Sequence, residues 1–138
     1  MRLMDRVRDA MVVDPPQLDG SASAQEAGEA LGRPEVRAVF VSAGGRFLGV
    51  VTRKTLVREV IAHGLDPKET QLRAIAEPPH FTIGPDIPLE EAFHFLETED
   101  AERVPVVDEH HRLIGVLSRS VLQRRLAEDE DEPLPPAA

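Results

Sequence analysis

At 138 residues and a formal net charge of −9, with five Phe and no Trp or Tyr, the chain lacks the basic stripe and stacking platform of a nucleic-acid binder. The same acidity disfavours an anionic membrane surface, and the apolar runs are of strand length, far short of a membrane span. The lack of cysteine excludes disulfides and thiolate metal sites; with no secretory signal in the opening residues, a cytoplasmic location is expected.

Met4, Val7, Ala10 and Met11 stand at helical spacing and predict a short lead-in helix over 3–11, stopped by Asp14-Pro15-Pro16. A brief strand over 17–19 is expected next. Ser23 with Glu26 three residues on reads as a capping box, and Ala24, Ala27, Ala30 and Leu31 give the following helix a weak, small-residue face. Strands over 38–41 and 47–51 flank Gly44-Gly45, a pair suited to a turn that needs positive φ. A helix over 53–63 ends at Gly64.

The order then recurs. An apolar lead-in over 72–75 meets Glu77-Pro78-Pro79, and 81–83 is long enough for a short strand. Pro88 suits a first helical turn, followed by an apolar face of Leu89, Ala92, Phe93 and Leu96. Strands over 104–107 and 113–117 enclose a turn near 109–111, and a last helix covers 119–126. Residues 127–138 are acidic, then proline-rich. Glu128-Asp129-Glu130-Asp131-Glu132 carries five of the nine net charges, and the tail is expected to be disordered.

The two halves are copies. Residues 39–56 read VFVSAGGRFLGVVTRKTL and 105–122 read PVVDEHHRLIGVLSRSVL, ungapped at an offset of 66; the two Pro-Pro stops sit at an offset of 63. Such a repeat sets the architecture. The expected fold class is α/β (α+β): two β-α-β-β-α repeats packed about a pseudo-twofold axis, with a ligand site between them. The boundaries expected are 1–68 for the first repeat with its lead-in helix, 69–127 for the second, and 128–138 for the tail. Each half is near the size at which a lone core is marginal, so the halves should bury surface against each other, and a homodimer is expected.

These blocks resemble the CBS domain. The resemblance covers about 4–126 and rests on Arg103-Val104-Pro105-Val106-Val107-Asp108, and on the turn in which an apolar residue, Gly, two apolar residues and Thr or Ser lead into the last helix of each half. It implies a regulatory pair, a Bateman module, that is not an enzyme, needs no cofactor and takes an adenine nucleotide (AMP, ADP or ATP) in a cleft between repeats. On this chain Gly49 and Gly115 would let a ligand approach the backbone, Thr52 and Ser118 would meet phosphate, and Arg53, Lys54 and Arg119 would add charge. Pro105 lies at the strand entry of the second repeat. The family's ribose-binding Asp falls on Thr55 and Val121, neither a carboxylate, so the first cleft is the better candidate. The same glycines and hydroxyls also serve ordinary turn and N-cap chemistry. The competing expectation is therefore a degenerate, ligand-free module acting through its surfaces on an unidentified protein partner.

Other sites fail on chemistry. Gly44 and Gly49 have P-loop spacing, but Val50-Val51 stands where Lys and Ser or Thr are needed. His110-His111 lies in a turn without a third ligand, so no metal site is expected. The acids Glu90-Glu91 and Glu97, Glu99, Asp100 and Glu102 read as helix-surface residues, and no nucleophile–base pair stands out.

Overall fold

The computed structural model describes residues 5–131. The order is α1 (Val7–Ala10), β1 (Val12–Val13), β2 (Gln17–Asp19), α2 (Ala24–Leu31), β3 (Val39–Ala43), β4 (Arg46–Val51), α3 (Arg53–Leu56), α4 (Leu72–Ile75), α5 (Leu89–Thr98), β5 (Arg103–Val107), β6 (Leu113–Ser118) and α6 (Arg119–Asp131). The mixed α+β architecture is the one expected from the repeat. Two three-stranded sheets form, β2-β3-β4 and β1-β6-β5. Each hairpin carries a register shift that skips Leu48 or Ile114, equivalent at the offset of 66, but on the facing strand it falls between Val41 and Ser42 and between Val106 and Val107, an offset of 65, so the second turn is one residue longer.

The lead-in helices are exchanged. Val7 of α1 has no exposed surface and lies in a core cluster with Leu89, Leu96, Val104, Leu117 and Leu122, all from the second half. Leu72 and Ile75 of α4 lie instead with Ala24, Ala27, Leu31, Val39 and Val41 of the first half. Backbone bonds repeat the pattern: Val7 N–H donates to the Ile87 carbonyl (3.0 Å) and Leu72 N–H to the Ala22 carbonyl (2.9 Å). A four-residue helix is not stable alone, so each lead-in owes its conformation to the opposite half. Each linker then pairs antiparallel with a strand of that half, Val12 opposite Val116 and Glu77 opposite Val50. Phe47, Val107 and Leu113, with Phe40 and Val50 packed on them, form a third cluster where the sheets meet.

Several elements depart from expectation: α1 covers Val7–Ala10 rather than 3–11, and β1 stands at Val12–Val13 where no strand is expected. Residues 81–83 form no strand: Ile83 makes one parallel bridge to Val106, and Gly84-Pro85 ends the pairing there. The helix over 53–63 turns π-helical at Val57–Ile61, where Ala62 N–H reaches back to the Val57 carbonyl (2.9 Å), and it ends at Gly64 with φ +65°. Last, α6 runs to Asp131 rather than 126, because no Gly or Pro interrupts the chain before Pro133. Met4 and the tail from residue 132 lie outside the described residues.

Candidate functional site

In the first repeat, Thr52 is the N-cap of α3. The Thr55 amide donates to Thr52 Oγ1 (3.3 Å), the Thr52 amide donates to Thr55 Oγ1 (3.0 Å), and the two hydroxyls lie 3.0 Å apart. The threonine standing where the family has an acid thus completes a capping box. It has no exposed surface. Its one hydroxyl proton goes to Glu77 Oε1 at 3.2 Å, which makes Thr52 the donor between the hydroxyls. Glu77 Oε1 also receives the Arg58 guanidinium.

Glu77 reaches this place because β4 carries a glycine beneath it. A Cβ on Gly49 would land on the Glu77 carbonyl oxygen, 2.7 Å from its carbon and 3.1 Å from the Pro78 nitrogen. The open space at Gly49 is therefore taken by the chain's own linker. Arg53 is tied elsewhere, donating to the Arg33 carbonyl at 2.8 Å, while Lys54 is exposed.

The second repeat is filled differently. Glu102, just before β5, lies against the start of α6. Its Oε1 accepts from the Ser118 hydroxyl (3.3 Å) and the Ser120 amide (3.3 Å), and Ser118 and Ser120 hydroxyls lie 2.9 Å apart. The Arg119 amide donates to the Glu102 carbonyl (2.7 Å), and its guanidinium faces Asp100 (3.2 Å) and Glu102 (3.8 Å). The Ser120 hydroxyl first, then the Ser120 amide, the Ser118 hydroxyl and Arg119, hold Glu102 below the ordinary glutamate range against a desolvation that works the other way. Above Gly115, a Cβ would come within 2.5 Å of Met11 Sδ and 2.9 Å of the Val12 carbonyl oxygen. Pro105 pairs with Val116, and its carbonyl accepts from Ile83 N–H at 3.1 Å.

Two clusters result: Gly49, Thr52 and Thr55 with Glu77 and Arg58, and Ser118 and Arg119 with Glu102 and Ser120. Among the described residues Arg53 and Lys54 make no hydrogen bond or ion pair with the first cluster's carboxylate, and Val121 brings no acceptor to the second. Sequence reading passes over Glu77, which looks like part of a helix stop. The repeated acid-Pro-Pro at Asp14 and Glu77 is the signal that could have drawn attention to it. Glu102 reads as a helix-surface acid because the helix end at Thr98 is not visible in a run of acids. Asp108, shared with the family pattern, builds its own turn by accepting from the His110 and Arg112 amides, both at 2.9 Å.

Two concavities lie apart from these clusters. One of about 830 Å³ is bordered by Arg8, Ile83, Asp86, Ile87, Val107 and Asp108. The other, about 390 Å³, is a groove bordered by Ala24, Gly28, Leu56, Val60, Ile61 and Leu65.

Among known proteins, the chain is 30% identical over 86 residues to the uncharacterized protein MK0525 of Methanopyrus kandleri, a match covering 62% of this chain and 44% of that one. It is 29% identical over 83 residues to hypoxic response protein 1 of Mycobacterium tuberculosis, covering 60% and 57%. The matches thus span about half the length of these relatives. The fold superposes on the crystal structure of CBSX2 in complex with AMP with a TM-score of 0.72 at 23% identity, over 91% of this chain and 98% of that one. The CBS domain model matches twice, over residues 7–62 and 72–128, and the chain belongs to the CBS-domain family as a tandem pair.

Proposed function

We propose that this CBS pair is a regulatory module that senses an adenosine-type nucleotide and works as a homodimer, with no catalytic role. The observation that carries the reading is the exchange of linkers. Each linker runs on the cleft strand of the opposite repeat, so a molecule bound beside Thr52 and Thr55 meets both repeats at once and shifts how they pack. That CBSX2 was crystallised with AMP supports the ligand class. The test is release of a nucleotide on denaturing the purified protein, followed by calorimetric titration with AMP, ADP and ATP. Because the chain has no Trp or Tyr, a nucleotide released even in small amount dominates absorbance near 260 nm. Saturable binding of one of the three supports the reading, and none at millimolar ligand refutes it.

The second reading is the ligand-free interaction module, favoured by the Ser118 hydroxyl being already engaged by Glu102. Both readings use the same helical face for self-association. Val57, Ile61 and Leu65 of the first repeat are 54%, 70% and 46% exposed beside the groove over Gly28. At the matching places the second repeat has Gln123 and Ala127 for Val57 and Ile61, and Phe93 for Gly28. The first repeat thus carries both projecting apolar side chains and a recess, as a face that pairs with its own copy about a twofold axis requires.

A further inference from the structure

The first cleft has lost the acid of its helix but still contains a carboxylate. Glu77 arrives on the crossing linker with its backbone fixed: its amide donates to the Val50 carbonyl (2.8 Å), and the Val50 amide donates to its carbonyl (2.9 Å). Both side-chain bonds, from the Thr55 hydroxyl and from Arg58, use Oε1. An ionised carboxylate has about four acceptor positions, two on each oxygen. Among the described residues no donor is recorded for Oε2. The Thr55 side chain beneath is buried, whereas the Glu77 side chain is 42% exposed. The group is anchored from below and open above.

Resting on the nucleotide reading of this cleft, we propose that Glu77 supplies from the linker the carboxylate that position 55 lacks, and that its Oε2 recognises the vicinal hydroxyl pair of a ribose. Thr55 is then a positioning residue that holds Glu77 and does not itself meet the ligand. The two residues are complementary: an Asp at 55 would set a second, buried carboxylate against Glu77 where a hydroxyl now donates to it. The second cleft has no counterpart. Val12 stands opposite Val116 where Glu77 stands opposite Val50, and Val121 replaces the helix acid, so neither source supplies a carboxylate there.

The experiment is calorimetric titration of AMP and 2′-deoxy-AMP into wild type, Glu77→Gln, Glu77→Asp and the exchange variant Thr55→Asp/Glu77→Gln, each checked for folding by circular dichroism. Wild type should favour AMP over 2′-deoxy-AMP by about tenfold, and Glu77→Gln should weaken AMP about ten- to thirtyfold and erase that preference, the scale of one charged hydrogen-bond partner. Glu77→Asp should keep the preference at lower affinity. The exchange variant should regain it; if that variant does not fold, the Gln and Asp variants decide. AMP binding that is unchanged or tighter in Glu77→Gln overturns the assignment alone and leaves the nucleotide reading standing. Wild type that binds neither nucleotide at millimolar concentration overturns both.

Discussion

Alanine at Gly49 should cost far more stability than alanine at Gly115, although the two glycines occupy the same place in the repeat. At Gly49 the new methyl group meets backbone: the Glu77 carbonyl, with its carbon 2.7 Å away and the Pro78 nitrogen at 3.1 Å. The linker has to retreat, breaking the two bonds between Val50 and Glu77. Overpacking costs about 1–3 kcal/mol, and each lost backbone bond about 0.5–1.5 kcal/mol. Gly49 also has φ +159°, a conformation alanine rarely adopts, so the smaller unfolded-state entropy of alanine brings no offset. The net loss is about 4 kcal/mol. At Gly115 the nearest atoms are Met11 Sδ at 2.5 Å and Cγ at 2.9 Å, which a side-chain rotation removes, and only the Val12 carbonyl oxygen at 2.9 Å is backbone. There the loss should be about 1 kcal/mol. Urea unfolding read by far-ultraviolet circular dichroism at one protein concentration measures both, since there is no Trp or Tyr to follow by fluorescence. Equal losses, or a larger loss at Gly115, would refute the view that these glycines make room for the exchanged linkers.

Light scattering coupled to gel filtration should give twice 15.2 kDa for wild type and 15.2 kDa for Ile61→Glu, while Ala127→Glu stays dimeric; a monomeric wild type, or dissociation by both substitutions, sinks the proposed face. Glu102 should titrate below its ordinary value of 4.5 in a carbon-detected NMR titration. A carboxyl depressed in the folded state contributes stability that is complete above the unfolded value and lost as pH falls through the folded one. Wild type should therefore exceed Glu102→Gln in stability at neutral pH and lose that advantage on acidification. An advantage that persists at low pH, or a Glu102 midpoint at or above 4.5, contradicts the network around Ser118 and Ser120.

β2, the two hairpins and the two main helices were legible because their causes are local, whereas β1 was not, and 81–83 has the look of a strand without forming one. Buried positions in α2 (Ala24, Ala27, Leu31) and α5 (Leu89, Ala92, Leu96) recur at helical spacing, and Gly44 and Gly45 have the positive φ that their turn requires. What could not be read is which half each lead-in serves. Val7 and Leu72 advertise an apolar face but not its partner, and chain order suggests the nearer repeat. The same holds for the clefts. Thr52 and Thr55 show in sequence as a helix start, yet Glu77 enters from 22 residues away along a linker whose path is decided by the exchange. The π-helical turn also escaped, since Val57, Val60 and Ile61 fit an α-helical pattern equally well.

The exchange bears on what a pair of CBS repeats can report. Neither α1 nor α4 can hold its four residues helical in water, so each stays folded only while the opposite core accepts Val7 or Leu72. The segment that brings Glu77 to the first cleft is the same one that carries α4 into the core beneath α2, five residues upstream at Leu72. Any ligand that pulls on the Glu77 carboxylate therefore pulls on a helix packed against Ala24, Ala27 and Leu31. Ala24 also borders the groove that Gly28 lines, so this core and the groove share one helix. In the proposed function cleft, linker, core and self-association face lie in packed contact, and by linkage whatever free energy a bound nucleotide adds to self-association is returned to its own binding. Dimer affinity measured with and without AMP is thus a direct reading of the coupling. The second repeat has Phe93 in place of Gly28 and Val12 in place of Glu77, and its carboxylate, Glu102, comes from just before β5 and is engaged by Ser118 and Ser120. In the proposed function the first repeat senses and associates, while each repeat anchors the lead-in of the other.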